Sequence, residues 1–212
     1  MKLSGITEKK LLTCCGYTIE GINAIRNGIE MPTEQTVTIQ KIVNDFMFGK
    51  SRILLLTGST GIGKSYIVQK ECAEWFINQK LSVADDIYKV AYLRYCFHYD
   101  IRLDDLSSLS FKAEKNPKQT YDLLCNINLL IIDEFCEFNI TPSDLSYIEN
   151  VIKKRYVNNN KTILVSNRTL QELQQKLTPA FLDRVFSSRF SMISSIEGKS
   201  LRNEANVPHS NS

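Results

Sequence analysis

The run Gly58-Ser59-Thr60-Gly61-Ile62-Gly63-Lys64-Ser65 matches the pattern G-x-x-x-x-G-K-[ST] in full. No other stretch restricts the fold so tightly. Glycines at these positions let the backbone turn its N–H groups inward, towards phosphate oxygens. A helix that starts at the loop presents its positive end to the same anion. The flanks supply what the loop needs. Residues 52–57, with Ile53-Leu54-Leu55-Leu56, read as a buried strand, and residues 64–79 place Ile67, Val68, Cys72, Trp75 and Phe76 on one helical face. At average glycine usage the pattern arises by chance in about one chain per hundred of this length; with this context, a glycine-rich surface turn is the weaker reading. Lys64 would then reach the β- and γ-phosphates of ATP, and the Ser65 hydroxyl would ligate Mg²⁺.

Leu129-Leu130-Ile131-Ile132-Asp133-Glu134 supplies the expected second half, an apolar strand that ends in two acids. In a parallel sheet, an acid at that end lies beside the loop. Asp133 is placed to hold Mg²⁺ through its water, and Glu134 to orient and deprotonate an attacking water. Val165-Ser166-Asn167 ends another buried strand. Alone, Asn167 would be a turn residue; behind a phosphate loop it is placed to contact the γ-phosphate or the water. Arg184 and Arg189 follow in a helix and its exit, with Arg202 beyond them. Arginine stabilises charge on a transferring phosphoryl group, from its own subunit or from a neighbour.

Strands alternating with helices predict an α/β fold with a mainly parallel central sheet flanked by helices. A helix is expected over residues 34–48, and strands at 90–93, 129–132, 162–165 and 190–196. A further helix follows the start signal Thr141-Pro142-Ser143-Asp144, with Leu145, Ile148, Ile152 and Tyr156 on its apolar face. The expected organisation is a short helical segment at 1–33 suited to docking a partner, an ATPase domain at 34–202, and a disordered tail at 203–212. Six cysteines form no C-x-x-C pair and only two histidines accompany them, which argues against zinc. Cys72, Cys125 and Cys136 lie in apolar stretches and read as buried thiols, consistent with a reducing cytoplasm. No apolar run reaches the roughly 20 residues of a membrane span. A net charge of +3 leaves any nucleic-acid surface to local patches. Lys153-Lys154-Arg155, with Lys112, Lys115 and Lys118, could meet DNA phosphates or form a solvated face. Tyr92, Tyr95, Phe97 and Tyr99 could stack on bases, but core positions suit them better.

The order of these elements over residues 35–202 resembles the AAA+ ATPases, specifically the DnaC-like helicase loaders and the related IstB-like transposition ATPases. The resemblance runs through residues 58–65, the acidic strand followed by Phe135, and the helix ending in Lys154-Arg155-Tyr156. It continues through residues 161–167, Phe181-Leu182-Asp183-Arg184-Val185 and Gly198-Lys199-Ser200-Leu201-Arg202. It implies a protein that assembles on the replicative hexameric helicase, binds single-stranded DNA, and oligomerises with ATP at subunit junctions. Asn167 becomes the sensor-1 residue and Arg184 an arginine finger acting on a neighbour's ATP, with Arg189 as its substitute. Two departures stand out. The second acid is Glu134 where many loaders carry Asp, and the region before residue 35 leaves little room for a zinc-binding docking domain.

Other functions compete. A transposition helper would share this site and differ in partner. A small-molecule kinase would need an arginine-bearing lid, yet only Arg94 and Arg102 lie between the two motifs. A module switched by ATP without turnover would have no need of Glu134.

Overall fold

Leu54 and Leu56 point to one side of the central sheet while Ile53 and Leu55 point to the other, and the same alternation runs through residues 129–132 and 163–165. Strands covered on both faces must be apolar throughout, which is why these runs are continuous. In the computed structural model, residues 22–23, 26–27, 33–78, 90–94, 117–136, 142–186 and 189–201 are described. In chain order the elements are α1 (Glu34–Phe48), β1 (Ile53–Gly58), α2 (Lys64–Asn78), β2 (Val90–Arg94) and α3 (Pro117–Asn126). They continue with β3 (Leu129–Asp133), α4 (Pro142–Val157), β4 (Lys161–Val165), α5 (Leu170–Lys176), α6 (Pro179–Val185) and β5 (Ser191–Ile196). The sheet order is β2-β3-β4-β1-β5. Every pairing is parallel, so the loops at one end of the sheet, after the strand carboxyl ends, gather into one place.

One face of the sheet carries α1 and α2, through Ile39, Val43, Phe46, Ile67, Val68 and Cys72. Ile22, from the segment before α1, is buried in the same cluster. The opposite face carries α3, α4, α5 and α6, through Leu124, Ile148, Ile152, Leu173 and Phe181. α1 starts at a reciprocal cap: Thr36 N–H donates to Thr33 Oγ1, and Thr33 N–H donates to Thr36 Oγ1. At its other end Lys161 Nζ donates to Phe46 O in the last turn and to Gly49 O and Ser51 O beyond it. Glu71 of α2, buried, accepts from Gln40 and Asn44 of α1 and ties the two helices side by side.

The structure corrects the reading of Lys153-Lys154-Arg155 as one basic cluster. Lys153 and Lys154 are exposed, but Arg155 is 0% exposed and cannot meet DNA. Its guanidinium donates to Leu124 O, Ile127 O, Asn128 O, Lys161 O and Thr162 Oγ1, binding the end of α4 to the turn before β3 and the start of β4. Burial pulls its pKa down to about 9, which leaves it charged at neutral pH. α3 begins at Pro117, so residues 117–118 belong to a helix, with Lys118 exposed. Cys72, Cys125 and Cys136 are buried thiols outside any disulfide, as their apolar surroundings predict. Tyr92 lies on β2, whereas Tyr95, Phe97, Tyr99, Lys112, Lys115 and Arg202 fall outside the described residues.

Candidate nucleotide site

β1 ends where a side chain has no room. A Cβ on Gly58, at φ 140°, would stand 1.8 Å from Ile196 O on β5. Gly61, at φ 82°, is closed in from the other side: a Cβ there would come within 2.2 Å of Ser200 Oγ, and Leu201 N–H donates to Gly61 O at 3.0 Å. Ile62 is buried against α1 and α2 and anchors the loop, while Thr60 faces outward. Because α2 begins at Lys64, the positive end of the helix abuts the end of the loop.

Lys64 is 4% exposed, and its ammonium is fixed by three acceptors. Nζ donates to Gly58 O, Ser59 O and Asn167 Oδ1, each at 2.8 Å. One residue on, Ser65 Oγ donates to Asp133 Oδ1 at 2.9 Å, and the same carboxylate oxygen accepts from Glu134 N–H at 2.9 Å. Asp133 is 2% exposed at the carboxyl end of β3. Thus Lys64 and Ser65 at the start of α2, Asp133 at the end of β3 and Asn167 just beyond β4 converge at one point. Glu134 is half-buried beside them, at φ 55°. A left-handed backbone costs a non-glycine residue ~1–2 kcal/mol, and Cys136, at φ 63°, carries a second such cost.

The donor set suits a small hard cation held jointly with phosphate. Ser65 Oγ and Asp133 Oδ1 are neighbouring oxygens, and among the described residues no group of three or more His, Cys, Asp or Glu could hold a metal by itself. Mg²⁺ keeps several waters and takes one or two protein oxygens plus phosphate, which this pair can provide.

The candidate arginines lie elsewhere. Ser191 Oγ donates to Arg184 O, and Ser191 is paired with Ile53 at the start of β1. The loop leaves from Gly58, at the other end of that strand pair. At about 3.3 Å per residue the two ends are roughly 16 Å apart. Arg184 Nη1 donates to Ala180 O, one turn back on α6, and the Arg189 guanidinium lies over the Phe190 ring, 5.1 Å from its centroid.

No family model matches the chain, and no curated protein matches it. Solved structures do. The crystal structure of the DnaC helicase loader aligns with a TM-score of 0.59 and 17% identity over 84% of this chain and 99% of that one. The crystal structure of DnaI aligns at 0.56 and 16%, over 87% of this chain and 93% of that one. The replication initiator DnaA bound to AMPPCP and single-stranded DNA aligns at 0.60 and 17%, over 83% of this chain. This chain spans about half of the DnaA chain, 50% of its length.

The fold is that of the AAA+ P-loop NTPases. Sequence reasoning assigned no part to Ser166 and Arg168, the two residues on either side of Asn167. Ser166 Oγ donates to Phe135 O at 2.7 Å, and Arg168 Nε donates to Cys136 O. Their partners lie 31 and 32 residues away in sequence, so no local pattern announces the contacts. The segment 198–201 is different, since it was singled out in sequence. What the fold adds is its place, packed against the glycines of the phosphate loop.

Proposed function

We propose that this chain is a cytoplasmic ATPase that acts in DNA replication as a loader of the replicative hexameric helicase. The observation that carries the loader reading is its near end-to-end match with the DnaC helicase loader, 84% of this chain on 99% of that one. The convergence of Lys64, Ser65, Asp133 and Asn167 supports ATP·Mg²⁺ as the ligand. Residues 58–65 cradle the phosphates with backbone N–H groups, and Lys64 meets the β- and γ-phosphates. Ser65 and Asp133 would hold Mg²⁺, which would neutralise charge developing on the phosphates.

Glu134 orients a water against the γ-phosphate, with Asn167 beside it. The water oxygen forms a bond to the γ-phosphorus, the bond to the bridging oxygen of ADP breaks, and the water's proton passes to the Glu134 carboxylate. Arg184 lies too far from its own subunit's loop to take part there, so it serves a neighbour's ATP in an ATP-dependent homo-oligomer. Single-stranded DNA is the expected nucleic-acid partner, as it is for the structurally similar DnaA complex. The segment at 1–33 docks the helicase.

The test is retention of partners from a cell extract by tagged protein with a non-hydrolysable ATP analogue. The loader reading expects the replicative helicase among the retained proteins. A transposase retained without any helicase contradicts it and leaves the ATP site untouched.

A further inference from the structure

The turn that aims Glu134 is held from outside. Glu134 and Cys136 have positive φ, with Phe135 between them, and groups at the end of β4 and just beyond it bond to this turn. Phe135 N–H donates to Val165 O at 2.8 Å, Ser166 Oγ donates to Phe135 O at 2.7 Å, and Arg168 Nε donates to Cys136 O. The two side chains are also linked to each other, because the Ser166 hydroxyl accepts from Arg168 N–H at 3.1 Å. Arg168 is steadied in turn by Glu172, with Nη1 and Oε1 3.6 Å apart. Between Ser166 and Arg168 stands Asn167, whose Oδ1 accepts from Lys64 Nζ.

We propose that Ser166 and Arg168 are positioning residues that hold the Glu134 turn in fixed register with Asn167. The group that takes the water's proton and the group beside the phosphate-binding lysine then move as one body. This inference rests on the hydrolytic reading given above and deepens it. A left-handed turn between two non-glycine residues relaxes when its outside bonds are removed. A displacement of about 1 Å at a reacting group can cost on the order of 100-fold in rate. Neither side chain belongs to the loop at 58–65, so both are expected to act on turnover more than on nucleotide affinity.

The experiment measures ATP turnover and the Kd of a fluorescent ATP analogue on the full chain. The variants are Arg168→Ala, Ser166→Ala, Glu134→Gln and the double variant Glu134→Gln/Arg168→Ala. The expected result is a kcat lowered about 10- to 100-fold by Arg168→Ala, with Kd within about twofold of wild type. The double variant turns over no more slowly than Glu134→Gln alone, because Arg168 acts through Glu134. Wild-type turnover in Arg168→Ala overturns the proposal, and so does a double variant slower than Glu134→Gln by the full Arg168→Ala factor. Equal turnover in wild type and Glu134→Gln refutes the hydrolytic reading itself, and the positioning role with it. Ser166 is buried, and its variant is the one at risk of misfolding; the half-buried Arg168 side chain then carries the test alone.

Discussion

Lys153 and Arg155 stand two positions apart on α4, yet one faces water and the other is sealed between α3, β3 and β4. The difference follows from the helical period. Position 155 falls on the face set by Ile148, Val151 and Ile152, so the spacing carried its burial even though the charge suggested a surface. A buried cation whose acceptors are all backbone or hydroxyl oxygens cannot be removed cheaply, since Leu124 O, Ile127 O and Lys161 O would be left without it. Arg155→Met is expected to lower unfolding free energy by at least about 1–3 kcal/mol, the cost of one buried carbonyl left unpaired, and Lys153→Ala by less than about 0.5 kcal/mol. Urea unfolding of the two variants checks this, and equal effects would contradict the packing described. At the site, Glu134→Gln is expected to retain ATP binding and lose hydrolysis by roughly 100-fold or more. Normal turnover in that variant would remove Glu134 from the chemistry.

Helix α5 connects the site to the rest of the domain, because it starts directly after the Asn167–Arg168 segment. Thr169 caps it, and Glu172 closes the box by accepting from Thr169 N–H and Thr169 Oγ1. The backbone hydrogen bond from Thr169, followed by its hydroxyl, holds the Glu172 carboxyl below its usual pKa. A depressed carboxylate pKa contributes stability that is present above the unfolded-state value, near 4.3, and is lost as pH falls through the folded-state value. The stability difference between wild type and Glu172→Gln is therefore expected to be constant near neutrality and to shrink below about pH 4. Thermal melts across that range measure it, and a difference that grows on acidification would contradict the cap. The box was readable as a pattern, Thr-x-x-Glu, but its consequence for the site was not. Arg168 joins Glu172 to the Glu134 turn through space, and spacing along one helix carries no information about a turn on another strand.

At the scale of the whole molecule, the apolar runs and phosphate loop made the α/β fold and the Lys64–Asp133 half of the site legible. The reason is physical: a strand buried on both faces must be continuously apolar, and a phosphate cradle needs glycines and a helix start in immediate succession. The order β2-β3-β4-β1-β5 was not legible, because it depends on which crossovers pack on which face. Arg184 lies at the far end of the β1–β5 pair from the loop at 58–65. If Arg184 serves a neighbour's ATP, then Arg184→Ala and Glu134→Gln are each slow alone. Mixed, they should recover turnover at junctions where an intact loop and Glu134 meet an intact Arg184, and no recovery on mixing would contradict a finger acting between subunits. The proposed function depends on nucleotide occupying residues 58–65. The most direct measurement is calorimetric titration of ATP with Mg²⁺ into the wild type and into Lys64→Ala. Saturable binding by the wild type, weakened at least about 100-fold by loss of the charge-assisted phosphate contacts of Lys64, is the predicted result. No binding by the wild type, or equal binding by both proteins, would contradict the account.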